Sequence, residues 1–106
     1  MKIIFISGPY RSDTEYGVHK NIQNAEAVAL RVWQLGHAAF CPHKNSAYFG
    51  GIAPDSAWLE GDIEIMRRCD AVCLVPGWEK SSGARAEIKL ANEIGLPVYQ
   101  TPEDIK

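Results

Sequence analysis

The chain has 106 residues, with 11 Lys and Arg, 13 Asp and Glu, and a formal net charge of −2. This length suits a single domain, and 46% hydrophobic with 23% charged residues is typical of a globular protein. No apolar run approaches the roughly 20 residues of a membrane span, and no signal region precedes the first apolar residues. We therefore expect a cytoplasmic protein without membrane contact. The slightly acidic balance argues against a nucleic-acid partner and is compatible with a small anionic ligand.

The predicted elements alternate between strands and helices along the chain. An apolar run predicts a strand over residues 2–7, and helical spacing predicts a helix over 21–35 that Gly36 ends. A strand over 37–41 and a long polar loop over 43–54 follow, then a helix over 55–68 and a buried strand over 70–76. A loop over 76–83, a helix over 84–93 that Gly95 stops, and a strand over 96–99 complete the series. The last residues are polar, and we expect them to fray.

This alternation predicts an α/β protein, with one flavodoxin-like (Rossmann-like) three-layer domain over residues 1–106. The sheet is expected to be mostly parallel, with four to five strands and helices on both faces. Ligands of such sheets lie at the carboxyl ends of the strands, near the point where strand order reverses. Three polar segments are predicted to meet there, at residues 7–13, 41–45 and 78–83.

The cysteines and histidines do not form a metal-binding pattern. Cys41, Cys69 and Cys73 are odd in number, whereas a structural zinc site needs four ligands at close paired spacings. The three histidines are equally scattered along the chain. We therefore expect reduced core thiols and no metal site.

The loop after the first strand is the first candidate site, since it combines Ser7, Gly8, Tyr10 and Arg11. It lacks both the three-glycine dinucleotide fingerprint and the Walker pattern with its lysine, so no cofactor is predicted. The loop could touch a sugar or phosphate, with Arg11 binding an anion, or it could be a plain turn that ends a strand. These residues alone leave both interpretations open.

The start of the last predicted helix is the second candidate. A serine there can cap the helix and leave backbone N–H groups facing a phosphate or sugar hydroxyl. Glu87 follows and either points toward the same edge or lies in solvent, where it complements the helix dipole. Asp62, on the preceding predicted helix, has the same two interpretations.

Four segments occur in one order along the chain: Ile6-Ser-Gly-Pro-Tyr-Arg, Cys41-Pro-His-Lys-Asn, Gly61-Asp-Ile with Cys69-Asp-Ala, and Ser81-x-Gly-x-x-x-Glu. Together they resemble the nucleoside 2-deoxyribosyltransferase superfamily, in particular its small DUF4406-type branch. The resemblance extends from residue 3 to about residue 97. Its most specific part is the glycine four residues before Glu87.

The resemblance implies a role for each matching residue. Glu87 would be the nucleophile that attacks the anomeric carbon, and Asp62 would contact the sugar or assist the leaving base. The other residues expected to bind substrate lie in the three polar segments: Ser7, Gly8, Tyr10, Arg11, His43, Asn45, Ser81, Ser82 and Gly83. Among these, Arg11, Ser81 and Ser82 are expected to receive a phosphate where the substrate carries one.

The function expected from these residues is cleavage or transfer of the N-glycosidic bond of a (deoxy)nucleoside or nucleoside 5′-monophosphate, through a covalent glutamate intermediate. A non-catalytic nucleotide-binding or sensing module and an NAD-type glycohydrolase are the alternatives. Three Trp, four Tyr and three Phe exceed what a small core readily buries, which favours a homo-oligomer. The resemblance implies that the subunits of this oligomer share active sites.

Overall fold

A computed structural model describes residues 1–106 and contains one four-stranded sheet. Its strands are β1 (Ile3–Ser7), β2 (Ala38–Phe40), β3 (Ala71–Leu74) and β4 (Val98–Tyr99). All neighbouring strands are parallel, in the order β2-β1-β3-β4. This is the strand order of flavodoxin-like proteins, so the predicted α/β class and flavodoxin-like architecture are confirmed.

Four α-helices connect or follow these strands: α1 (Glu15–Gln34), α2 (Pro42–Asn45), α3 (Asp55–Arg67) and α4 (Ser82–Glu93). Two short 3-10 turns complete the chain, at Trp78–Lys80 and Pro102–Asp104. None of the helices combines the length and apolar character that crossing a membrane requires.

Side-chain alternation along β1 and β3 builds a hydrophobic core on each face of the sheet. Ile4 and Ile6 pack with residues of α1 on one face, including Ala25 and Val32. Phe5 points the other way and packs with Met66 of α3 and Ala91 of α4, among others. Both central strands are buried on two sides, which explains their almost continuous hydrophobic sequence.

Helix α1 is longer than predicted, because it begins at Glu15 instead of residue 21. Thr14 caps it, with its side-chain oxygen accepting a hydrogen bond from the Gly17 N–H at 2.9 Å. Most of the first turns are exposed and carry no apolar periodicity, so the hydrophobic pattern missed them.

Two further predictions were wrong. The predicted loop over 43–54 contains most of helix α2, which starts with Pro42 at its first position, where the missing N–H costs nothing. The C-terminus does not fray, because Arg31 pairs with Glu103 at 2.6 Å and Ile105 packs against the core on the α1 face.

The topology places the carboxyl ends of β1 and β3 side by side where strand order reverses. Ser7, the last residue of β1, pairs in register with Leu74, the last residue of β3. The backbone N–H of Val75 donates to the Ser7 carbonyl at 2.8 Å, which extends this pairing by one residue. Polar groups that follow these strands therefore share one edge of the sheet.

Candidate active site

A buried serine and a carboxyl group from distant parts of the sequence meet at this edge. Ser7 is fully buried at the end of β1, and its Oγ donates a hydrogen bond to Glu87 Oε1 at 2.7 Å. Glu87 lies in the second turn of α4 and is half-buried. It therefore faces the sheet edge, whereas the alternative interpretation placed it in solvent.

A second carboxyl group influences Glu87 from the neighbouring helix α3. Burial raises the pKa of Glu87 to about 7, the Ser7 hydrogen bond opposes this rise, and the negative charge of Asp62 adds to it. Burial also raises the pKa of Asp62, to about 6. Both carboxyl groups therefore titrate close to neutral pH, where acid–base chemistry uses them.

The loop that follows Ser7 packs tightly against the end of β3. A Cβ atom on Gly8 would lie 2.4 Å from the Cβ of Val75, a distance that real Cβ atoms do not show. Only glycine therefore allows the chain to leave β1 at this point while β3 stays in place. This close contact between Gly8 and Val75 helps to hold Ser7 at the sheet edge.

His43 joins the second predicted polar segment to the first. The residue is 5% exposed, and Nε2 lies 3.1 Å from the Gly8 carbonyl oxygen and 3.0 Å from that of Pro9. The Tyr10 ring lies against it, with the ring centroids 5.9 Å apart. Burial lowers the pKa of His43, so the ring is neutral at pH 7.

Asn21 fixes the same loop from helix α1, a role that the sequence did not indicate. Its side-chain amide donates to the backbone oxygens of Tyr10 at 3.0 Å and Arg11 at 3.4 Å. The spacing had placed Asn21 at the start of a helix. A polar amide well inside a helix that bonds a distant backbone can be recognised only when the true helix start is known.

Two of the predicted binding residues lie in solvent. The Arg11 guanidinium pairs with the Asp55 carboxylate at 3.0 Å, and both side chains are mostly exposed. Asn45 is exposed at the end of α2. Neither side chain forms a hydrogen bond or an ion pair with Glu87 or Asp62. Direct substrate binding by Arg11 and Asn45 stays a prediction.

The predicted capping segment occupies the start of α4. Ser81 caps the helix, with its Oγ accepting a hydrogen bond from the Ala84 N–H at 3.1 Å. Ser82 and Gly83 lie in the first turn and are exposed. The first turn and Glu87 therefore belong to one helix, so a ligand held by the helix start would lie close to the carboxyl group.

Aromatic residues lie along the element that carries Asp62. Trp58 precedes Asp62 by one helical turn and contacts the Phe49 ring, with the centroids 5.7 Å apart. Its indole Nε1 is buried and has no hydrogen-bond partner. Such unpaired buried donors are uncommon in proteins.

Two open grooves lie elsewhere, along α1. One of about 410 Å³ is lined by α1 and by residues 44–48, and one of about 260 Å³ lies beside β2. They share the ion pair between Lys44 and Glu26, whose charged atoms are 2.9 Å apart. Neither groove is lined by Glu87 or Asp62.

The fold and the site together define a flavodoxin-like α/β domain with a half-buried carboxyl group at its strand-order reversal. Residues 2–100 match the family described as Domain of unknown function (DUF4406), so the chain belongs to that family. This confirms the resemblance to the DUF4406 branch that the sequence motifs indicated. No curated protein matches the chain.

Two solved structures show the same fold at low sequence identity. One is described as a 2-deoxyribosyltransferase from Bacillus psychrosaccharolyticus, with a TM-score of 0.65 and 22% identity over 98% of this chain and 77% of that one. The other is a conserved protein from Enterococcus faecalis V583, with a TM-score of 0.71 and 21% identity over 92% of this chain and 61% of that one. This chain therefore has a deoxyribosyltransferase-like fold.

Proposed function

We propose that the protein cleaves or transfers the N-glycosidic bond of a (deoxy)nucleoside or nucleoside 5′-monophosphate, with Glu87 as the nucleophile. The hydrogen bond between Ser7 and Glu87 at the reversal point is the observation that carries the proposal. It holds a half-buried carboxyl group where ligands of this fold class bind. The solved 2-deoxyribosyltransferase with the same fold supports the reaction class.

In the first step a carboxylate oxygen of Glu87 bonds to the anomeric carbon as the bond from that carbon to the base nitrogen breaks. A carboxylate suffices because the anomeric carbon carries much positive charge in the transition state. The Ser7 hydroxyl is bonded to Oε1, which orients the carboxylate and leaves Oε2 for the attack. The electron pair of the broken bond stays with the departing base.

The departing base needs a proton, and protonated Asp62 is the proposed donor. Burial raises the pKa of Asp62 to about 6, so a fraction of this group still carries its proton near neutral pH. The reactive form has the proton on Asp62 and an ionised Glu87, and it is the minor form of the singly protonated pair because the pKa of Glu87 is the higher of the two. In the second step an acceptor base or water attacks the anomeric carbon, the bond from that carbon to Glu87 breaks with its electron pair returning to the carboxylate, and the Asp62 carboxylate takes the proton that the acceptor loses. Transfer and hydrolysis thus share one covalent intermediate.

The start of α4 is the proposed site for the 5′ end of the substrate. Ser82 and Gly83 lie in its exposed first turn, and positive helix dipole ends attract phosphate. Tyr10 is 39% exposed beside the Ser7 loop and is the proposed contact for the sugar or base. Arg11 and Asn45 are exposed, and their contact with the substrate stays a prediction.

We further propose that the active form is a homo-oligomer whose subunits complete each other's sites. The segment between α2 and α3 exposes three large apolar side chains: Tyr48 at 88%, Phe49 at 48% and Ile52 at 83%. Tyr48 also has a φ of 66°, which bulky residues rarely adopt and which is often found at functional sites. This segment leads into α3, the helix that carries Asp62.

The experiment is to incubate the protein with nucleosides and nucleoside 5′-monophosphates, with and without acceptor bases, and to measure free base by chromatography. We expect at least one substrate to release base, and Glu87→Gln to lower kcat by about a thousandfold or more. Glu93→Gln is the matched control, because Glu93 is an exposed glutamate on the same helix.

Three results would contradict the proposal. Saturable nucleotide binding without base release would favour a binding or sensing module. Release of nicotinamide from NAD with no nucleoside activity would favour a glycohydrolase of that type. Full activity of Glu87→Gln would exclude the nucleophile.

A further inference from the structure

The His43 ring is enclosed behind the loop that joins β1 to α1. Two carbonyl oxygens, of Gly8 and Pro9, lie within hydrogen-bond distance of Nε2. Both are acceptors, so Nε2 must carry the hydrogen and donate to them. The geometry therefore fixes the tautomer of the neutral ring.

The other parts of the ring are also occupied. Nδ1 faces the Cys41 sulfur at 4.0 Å, and the Tyr10 ring covers the imidazole at a tilt of 58°. With only 5% of the residue exposed, Nε2 is committed to the loop backbone and not to solvent. A ring in this position has no free polar atom to offer a substrate.

The loop that His43 holds contains the residues that the proposed reaction needs. Gly8 directly follows Ser7, whose hydroxyl bonds Glu87, and Pro9 directly precedes Tyr10. A single N–H thus fastens the backbone on the segment between these two side chains. Asn21 bonds the next two carbonyls along the loop, from the α1 side.

We infer that His43 is a positioning residue that fixes the Ser7-to-Tyr10 loop from behind, in place of the direct substrate contact predicted from the sequence. The consequence for activity rests on the proposed function. The consequence for the loop does not, since it follows from the hydrogen bonds alone. His43 would act on catalysis only through Ser7 and Tyr10.

Three substitutions separate this role from simple packing. His43→Gln can place an amide N–H near the position of Nε2, His43→Asn carries its amide on a shorter side chain, and His43→Leu removes the donor. Nuclear magnetic resonance of the ring nitrogens in the unmodified protein should show the Nε2–H tautomer. The amide signals of Gly8 and Tyr10 should stay close to wild type in the Gln variant and shift in the Leu variant.

In the base-release assay we expect His43→Gln to retain kcat/KM within a few-fold and His43→Leu to lose about 10- to 100-fold, as the loss of a buried hydrogen bond predicts. His43→Asn should resemble Leu, and it keeps the test open if the Leu variant does not fold. The inference is overturned by an Nδ1–H tautomer, or by Gln and Leu variants that affect the loop equally. If the amide signals of the loop change as expected but the protein releases no base, the proposed function is rejected and the positioning role of His43 stands.

Discussion

At the scale of single residues, the site depends on carboxyl groups that the protein has partly removed from water. Desolvation disfavours the charged form, and this is the main cause of the raised pKa values of Glu87 and Asp62. The Ser7 hydroxyl acts in the opposite direction, because it donates to the carboxylate and stabilises its charge. These half-buried carboxyl groups retain a proton at pH values where exposed carboxyl groups have lost theirs.

The first prediction concerns the pH dependence of the reaction. The nucleophile must be ionised, so the rate rises as pH increases through the lower apparent pKa, and the acid must be protonated, so the rate falls above the upper one. Because Glu87 and Asp62 interact, the values of about 6 and about 7 belong to the pair. We expect a narrow bell-shaped profile of kcat/KM with limbs near these values.

The Asp62→Asn variant tests the assignment within the pair. Removing the negative charge lowers the pKa of Glu87 from about 7, and the rate should then rise with pH through this single pKa. The alkaline limb should disappear, and kcat should fall by about a hundredfold, as expected for loss of a general acid. Glu60→Gln is the control, since Glu60 is exposed on the same helix. A profile unchanged by Asp62→Asn would show that the two groups do not act together.

At the scale of elements, the sequence predicted what depends on burial and missed what depends on polar contacts. The β1 and β3 strands were found because both faces are covered, which produces a continuous apolar run. The first turns of α1 were missed because they depend on the Thr14 cap and not on a buried face. Helix α2 is too short to show any periodicity.

In the candidate site, too, the sequence predicted some residues but not the polar contacts between them. Glu87 and Ser7 were predicted from motifs, yet their contact joins positions 80 residues apart and no local spacing reveals it. Likewise, no sequence pattern predicted that the His43 ring contacts the Gly8 carbonyl oxygen, or that Arg11 pairs with Asp55. Those outcomes depend on how α2 and α3 sit against the loop, which is a property of the tertiary structure.

The second prediction tests the close packing between the β1 loop and the end of β3. Gly8→Ala should lower the free energy of unfolding by about 1–3 kcal/mol or more, because its Cβ would lie 2.4 Å from that of Val75. In Gly8→Ala/Val75→Gly the Cβ and both γ-methyl groups of Val75 are absent, so the clash is relieved. Denaturant unfolding of the two single variants and the double variant should therefore give a total loss smaller than the sum of the single losses. Strict additivity would show that the two positions do not interact.

At the scale of the whole molecule, the small size of the domain limits how much of a site one chain can build. Helices α1, α3 and α4 are used to cover the two faces of the sheet. Large apolar side chains nevertheless remain exposed between α2 and α3, where they cannot reach either core. Exposed apolar clusters of this kind are typical of interaction surfaces.

The third prediction follows from this surface. Sedimentation at micromolar concentration should show a homo-oligomer, and Tyr48→Ser/Ile52→Ser should shift it toward the monomer, since both side chains are mostly exposed. The same variant should lose base-release activity while the single chain stays folded. Leu59→Ser is a control for the loss of an exposed apolar residue on α3 itself. A strictly monomeric and fully active wild-type protein would contradict the proposal.

The proposed reaction requires a covalent bond between Glu87 and the sugar, and mass spectrometry of the rapidly quenched reaction can detect that bond. We expect the peptide that contains Glu87 to gain the mass of one deoxyribosyl or ribosyl group, together with its 5′-phosphate where the substrate is a monophosphate. Glu87→Gln should show no such increase, and the adduct should disappear when an acceptor base is added. Steady base release without any adduct, or an adduct on a different residue, would contradict it.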